Sequence, residues 1–117
     1  MHFILALSYG SRQEIIDAVK RIGRAIQSGA LQPEDITLAT FERFLYTAEL
    51  PDPDLMIRTG GEVRLSNFLL WQASYTELYF TEVLWPDFRG DDLLRAIIEF
   101  QRRERRFGLT HDQLLQQ

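Results

Sequence analysis

The sequence predicts an α/β fold, a partial parallel sheet flanked by helices, in one domain covering residues 1–117. Two observations carry that expectation. Short apolar runs of strand length alternate with segments whose apolar residues recur at helical spacing, the pattern of strand–helix units on a parallel sheet. The length, with 45% hydrophobic and 26% charged residues, suits a single compact domain. A third observation qualifies the first two: only three candidate strands are present, and a buried parallel strand needs neighbours on both sides. The pattern reads as part of a larger sheet.

The elements follow in order. Phe3 to Ser8 is an apolar run bounded by Tyr9-Gly10, as expected of a buried parallel strand. Ser11 and Glu14 stand three residues apart before an apolar run, which predicts a capping box. Ile15, Val19, Ile22 and Ile26 then share one helical face, and Gly29 supplies the stop. Pro33-Glu34-Asp35 suits the first turn of a second helical segment that buries Phe41, Phe44 and Leu45. Pro51-Asp52-Pro53-Asp54 ends it, because residues before proline avoid helical geometry. Leu55-Met56-Ile57 is the second strand and opens into Arg58. Ser66 is the expected cap of a short helix over Asn67 to Gln72, in which Leu69, Leu70 and Trp71 read as core rather than a lipid-facing patch. Leu78-Tyr79-Phe80 is the third strand and Trp85-Pro86-Asp87-Phe88 an ordered turn. Asp91 or Asp92 caps the last long helix, with Leu94, Ile97 and Ile98 inward and arginines at its C-terminal end.

Composition removes several classes of function. The formal charge of −4 argues against general nucleic-acid binding. No apolar run approaches the roughly 18 residues of a transmembrane helix. Met1 to Leu7 has neither a basic lead nor a small-residue cleavage site, so no secretory signal is expected there. The absence of cysteine excludes disulfides and cysteine-ligated zinc, and a cytoplasmic setting is the expectation. Against the overall acidity, Arg102, Arg103, Arg105 and Arg106 crowd the C-terminal region.

The stretch that carries chemistry is Arg58-Thr59-Gly60-Gly61-Glu62-Val63-Arg64-Leu65-Ser66-Asn67. Arg58 follows an apolar strand directly, and ligands of open α/β sheets collect beyond the carboxyl ends of strands. A guanidinium there can grip phosphate oxygens with two parallel N–H donors. Gly60-Gly61 lets the backbone turn sharply or approach a ligand. Arg64 adds a second fork and Ser66 a hydroxyl, and a helix beginning at Ser66 would add its positive end. Two arginines, a hydroxyl and a helix N-terminus describe a diphosphate cradle. Spacing alone leaves a second reading open, in which the arginines pair with Glu62 or Asp54 and the glycines only turn the chain. No Gly-rich lysine loop is present, so nucleoside triphosphate chemistry has no support.

The run Arg58 to Gln72 resembles the signature of undecaprenyl-diphosphate synthases and other cis-prenyltransferases. Glu77-Leu78-Tyr79-Phe80, Leu84-Trp85-Pro86-Asp87-Phe88 and Arg102-Arg103-Glu104-Arg105-Arg106-Phe107-Gly108 continue the likeness in the family's order. Upstream, Leu7-Ser8-Tyr9-Gly10-Ser11-Arg12-Gln13-Glu14-Ile15 is similar to the family's Tyr-Gly-Gly-Arg segment. The likeness runs from about Phe3 to Gly108. Two departures are compatible with the same turns: Gly60 stands where many relatives have serine, and Ser11 where many have glycine.

The resemblance implies an enzyme of the isoprenyl transferase kind. Such enzymes condense isopentenyl diphosphate onto an allylic diphosphate to build a long cis-polyprenyl diphosphate, the undecaprenyl-type lipid carrier of cell-wall synthesis. It further implies that Arg58, Arg64 and Ser66 hold the diphosphate of isopentenyl diphosphate, with Leu65 contributing through its backbone. Glu77 matches the glutamate that helps hold Mg²⁺, a hard cation shared with substrate phosphates; on its own, a glutamate before a strand is usually just solvated. Arg106 and Gly108 match an Arg-x-Gly motif that reaches the active site across a homodimer interface, whereas without the resemblance that basic tail would only complement a helix dipole. Asp91-Asp92 is a helix cap rather than the aspartate-rich metal motif of trans-type enzymes.

The family's Asp-Gly-Asn-Gly-Arg-Trp-Ala segment, whose aspartate binds Mg²⁺ and whose remainder holds the allylic diphosphate, does not occur among the 117 residues. The expectation is therefore a truncated, C-terminal half of the fold. It supplies the isopentenyl-diphosphate site, meets the allylic diphosphate only with the missing half, contains no catalytic residue of its own and is inactive alone. Peripheral contact with the inner membrane face through the lipid product is expected. The alternative is a non-catalytic partner subunit of a heteromeric cis-prenyltransferase. Such partners usually have eroded diphosphate motifs, whereas Arg58, Arg64, Ser66 and Glu77 are all retained here.

Overall fold

A computed structural model describes residues 1–103 and 109–116, and of Leu114 the backbone alone. It separates into two compact units, Met1–Pro51 with Leu65–Trp71, and Asp52–Arg64 with Gln72–Gln117. Helices and a small parallel sheet make it an α/β structure.

The first unit is built on the helix α1, Ser11–Gln27. Its inward face carries Ser11, Glu14, Ala18 and Ile22, residues three or four apart. Val19, expected inward, is 52% exposed. The buried line has moved one residue along the helix, because Ala18 and not Val19 shares a face with Glu14 and Ile22. Gly29 ends the helix as expected. At φ 81 it accepts the left-handed geometry, while Ala30 N–H bonds to Ala25 and Gly29 N–H to Ile26, closing the last carbonyls.

The expected capping box does not form. Gly10 stands at the N-cap without a side-chain bond, and Ser11 and Glu14 are both fully buried. A buried polar atom must be satisfied, and here tertiary partners take both side chains. The expected second helix is likewise divided. Pro33–Asp35 forms one 3₁₀ turn, Ile36 is extended, and Thr37 starts a new helix, α2, over Leu38–Glu42 by accepting from Thr40 N–H at 3.2 Å. Leu45 beyond it is buried, 3% exposed, as expected.

Phe3 to Ser8 is not a strand. Phe3, Ile4, Leu5 and Leu7 are all exposed, 59–81%. The described residues contain no strand that pairs with this run, and an apolar run without a ladder partner leaves its backbone groups to solvent.

In the second unit, β1 (Leu55–Arg58) and β2 (Glu77–Phe80) pair in parallel, Leu55 opposite Glu77 and Arg58 opposite Phe80. Both expected strands form, each one residue longer than the apolar core suggested, so Arg58 and Glu77 lie within the sheet. The turn near Trp85 is a 3₁₀ turn, Trp85–Asp87, with Trp85 stacked on Phe88 at 6.1 Å. The helix α3, Gly90–Arg102, follows. Asp92 accepts from Arg89 N–H at 2.8 Å, so it caps from the third position rather than the first. Ala96 is the buried residue of α3, while Leu94 and Ile98, expected inward, are 57% and 46% exposed. A small face meets the two-stranded sheet, and the larger residues beside it find no cover in this unit. A short helix, α4, spans His111–Leu115. No helix among the described residues is long and apolar enough to cross a membrane.

Candidate functional site

In the second unit, the carboxyl end of β1 delivers Arg58 and is followed at once by a tight turn. Gly60 (φ 87) and Gly61 (φ 79) both lie in the left-handed region. The turn is stitched to the chain leaving β2: Thr81 N–H donates to Arg58 O at 2.9 Å, Gly60 N–H to Val83 O and Gly61 N–H to Thr81 O, each at 3.0 Å. The parallel register ends at Arg58 and Phe80, and these bonds beyond it fix the loop entrance.

Arg58 Nη1 donates to Arg64 O at 2.6 Å, so the structure brings the two arginines of the candidate cradle together. The Arg64 guanidinium pairs with Glu62 and remains well exposed. An exposed pair of this kind contributes at most about 1 kcal/mol, so an anionic ligand competes with it readily. The pairing with Glu62 expected of the second reading forms at Arg64, Arg58 takes a backbone carbonyl instead, and the Arg64 fork still faces water.

Glu77, at the start of β2, accepts from Arg103 Nη1 at 3.3 Å, and the same guanidinium nitrogen donates to Leu78 O at 2.6 Å. Among the described residues no cluster of three or more histidine, cysteine, aspartate or glutamate side chains could hold a metal ion. Glu77 fits Mg²⁺ as one hard oxygen donor among phosphate and water ligands, not as part of a protein cage. Arg103, one of the C-terminal arginines noted in the sequence, is its counter-charge, a pairing that spacing alone did not indicate.

Leu65 and Ser66 belong to the first unit. The expected helix after Ser66 does not form; the chain runs in successive turns, with Ser66 (φ 49), Asn67 (φ 62) and Leu69 (φ 48) left-handed. Three left-handed residues in four cannot continue a right-handed helix. The helix-dipole contribution to the cradle is therefore withdrawn, and what remains at Ser66 is an exposed hydroxyl and its backbone.

These turns are held by the start of α1. Ser11 N–H donates to Asn67 O and Arg12 N–H to Asn67 Oδ1, both at 2.8 Å, while the Ser11 hydroxyl accepts from Leu70 N–H at 2.9 Å. Glu14 accepts from the Tyr9 hydroxyl at 2.5 Å and from Tyr46 N–H at 2.7 Å. Burial, then the bond to Glu14, pushes the Tyr9 hydroxyl up to about 12. A hydrogen bond between Tyr46 and Asp17 raises the tyrosine and lowers the carboxylate. Beside this network lies a cavity of about 520 Å³ lined largely by apolar side chains, among them Leu5, Leu7, Leu50, Phe68 and Leu69. Neither Asn67 nor the anchoring use of Ser11 and Glu14 was anticipated. The available signal was Asn67 itself, since asparagine tolerates left-handed geometry better than most residues.

Arg106 and Gly108, the candidate dimer-crossing motif, lie outside the described residues.

A family model described as undecaprenyl diphosphate synthase matches residues 1–108. The chain is 60% identical over 104 residues to a tritrans,polycis-undecaprenyl-diphosphate synthase (geranylgeranyl-diphosphate specific) of Methanopyrus kandleri, covering 89% of this chain and 38% of that protein. It is 55% identical over 111 residues to an isoprenyl transferase of Porphyromonas gingivalis, covering 95% of this chain and 44% of the relative. In three dimensions it resembles lavandulyl diphosphate synthase from Lavandula x intermedia, solved with dimethylallyl diphosphate. The TM-score is 0.90 at 51% identity, covering 92% of this chain and 47% of the other. The chain spans less than half the length of these proteins.

Proposed function

Because the chain belongs to the undecaprenyl diphosphate synthase family of prenyltransferases, we propose that it supplies the isopentenyl-diphosphate side of a cis-prenyl transfer site. The observation that carries this reading is the pairing of Arg58 with the Arg64 backbone at the carboxyl end of β1. Two guanidinium groups beside a glycine turn suit the two phosphates of a diphosphate, each fork matching phosphate oxygens.

In the reaction, a carbon–carbon bond forms between the isopentenyl and allylic units as the allylic carbon–oxygen bond breaks, the allylic diphosphate leaves as inorganic diphosphate, and a proton leaves the isopentenyl unit. The product is a longer cis-polyprenyl diphosphate of the undecaprenyl kind. Arg58 and Arg64 hold the isopentenyl diphosphate, assisted by the Leu65 backbone and the Ser66 hydroxyl. Glu77 would be one ligand of Mg²⁺, which when bound would neutralise diphosphate charge. The Glu77 carboxylate, held by Arg103 in this structure, would then be shared between the two cations. The apolar cavity beside Tyr9 suits a hydrocarbon chain rather than a charged group. The allylic diphosphate requires residues that this chain does not carry, so the 117 residues alone bind but do not turn over. The complete assembly is a homodimer with Arg106 and Gly108 crossing between copies. It acts in the cytoplasm, against the inner membrane face that receives the product.

Calorimetric titration of the 117-residue protein with isopentenyl diphosphate tests the cradle. Arg58→Ala and Arg64→Ala should each weaken binding about 10- to 100-fold, the range expected for one charge-assisted contact. Unchanged affinity in both variants sinks the cradle. Prenyl transfer by the purified chain would overturn the prediction that it is inactive alone.

A further inference from the structure

Three left-handed residues in a run of four need a cause, because serine and leucine do not adopt this geometry unaided; each costs roughly 1–2 kcal/mol. The cause lies at the start of α1. The first N–H groups of a helix have no partner within it, and Gly10, at the N-cap, offers no side chain. Asn67, more than 50 residues further along the chain, supplies acceptors for two of them: its backbone oxygen takes Ser11 N–H and its Oδ1 takes Arg12 N–H, each at 2.8 Å. The anchoring is reciprocal, since the fully buried Ser11 hydroxyl receives Leu70 N–H. The fit is close enough to restrict the helix side as well. A Cβ at residue 10 would stand 3.0 Å from Asn67 Nδ2, tighter than most contacts, so a side chain there would make the asparagine amide give way by a few tenths of an ångström.

Behind the anchor, Glu14 is fully buried, one turn into α1, and ties down both flanks of the same helix start through Tyr9 and Tyr46. The N-terminus of α1 is thus a rigid post, and Asn67 binds it through both backbone and side chain. Directly before Asn67 come Leu65 and Ser66. A turn closed by Phe68 N–H on Leu65 O spans the three residues at 3.2 Å. Any rotation at Asn67 is passed to the Ser66 hydroxyl and to the Leu65 backbone.

We infer that Asn67 is a positioning residue, which uses the N-terminus of α1 as a fixed post to set the left-handed backbone that presents Leu65 and Ser66 to the diphosphate. It does not touch the ligand; it acts through its neighbour. The inference rests on the proposed isopentenyl-diphosphate reading of Leu65 and Ser66, and the experiment separates the two.

Isopentenyl diphosphate is titrated into the 117-residue protein and into its Asn67→Ala, Asn67→Gly and Arg64→Ala variants, with the Ser66 amide followed by ¹⁵N NMR before and after ligand. Asn67→Ala removes both the Arg12 cap and the tolerance for left-handed φ. Asn67→Gly removes the cap alone, and keeps the inference testable if the alanine variant does not fold. The expected result is a shifted Ser66 amide in the ligand-free Asn67 variants and an affinity about tenfold lower, the loss of roughly one hydrogen bond's worth of preorganisation. Arg64→Ala should weaken binding while leaving the ligand-free Ser66 amide in place. A folded Asn67 variant that binds within about twofold of the parent overturns the positioning role alone. Absence of binding by the parent, or full binding by Arg64→Ala, overturns the diphosphate reading and takes this inference with it.

Discussion

Two turns of this molecule hold their backbones in the left-handed region, and they do so by opposite means. At Gly60-Gly61 the residues carry no Cβ, and a Cβ built at Gly60 would meet nothing within 4 Å. The surrounding sheet hydrogen bonds need only hold a conformation that glycine already favours. At Ser66-Asn67-Leu69 two of the three residues oppose the geometry, and the anchor on α1 imposes it. One turn is chosen by its own residues, the other by residues more than 50 positions away in sequence. The second kind stores strain at Ser66 and the residues that follow it, a frequent feature of binding loops held by a rigid frame.

The largest expected stability effect tests the imposed turn. Ser11→Ala removes the acceptor of Leu70 N–H in a fully buried position. It should lower unfolding free energy by about 1–3 kcal/mol, the cost of stranding a buried donor, measured by urea denaturation. A change below about 0.5 kcal/mol would mean that the turn does not depend on this anchor. Gly60→Ala tests the chosen turn. With open space for the methyl group, only the left-handed backbone resists it, and the loss should be roughly 1–2 kcal/mol. Tolerance without loss would show that the sheet bonds dictate the turn after all, and the contrast between the two would vanish.

The smallest effect is one of pH and concerns the post on which the imposed turn rests. Tyr9 has its hydroxyl raised from 10.0 to about 12 in the folded chain. A raised folded value means that the neutral hydroxyl is the form the fold favours. Its contribution is fully present below pH 10 and is lost as pH climbs toward 12. Thermal unfolding should show this loss in the parent. In Tyr9→Phe that part of the slope should be absent, and an identical alkaline slope in both would remove Tyr9 from the network.

The contrast also explains how far the sequence could be read. Arg58 at a strand end and the glycine turn after it were legible because each depends on neighbours in sequence: apolar residues, then a residue free to turn. The helix expected after Ser66 failed for the same reason that the imposed turn exists. Serine followed by an apolar run is a sound local signal for a helix start, and a distant asparagine–helix contact overrides it. Ser11 and Glu14 are the mirror case. Their spacing matches a capping box, yet burial turns both side chains toward tertiary partners. Phe3 to Leu7 and Leu55 to Ile57 carry almost the same apolar signal, but only the second has a parallel partner among the described residues.

By itself the sequence determined the α/β class, the helices α1 and α3, the two strands, and a pair of arginines beside a glycine turn. These follow from apolar periodicity and from the conformational freedom of glycine, both properties of adjacent residues. Only the tertiary structure decided which face of each helix is covered, that Arg103 neutralises Glu77, and that Asn67 holds the chain beyond Ser66 in left-handed turns. The first depends on which neighbours pack against the helix, and the other two satisfy charged or polar groups with partners far along the chain; local sequence carries no record of that distance.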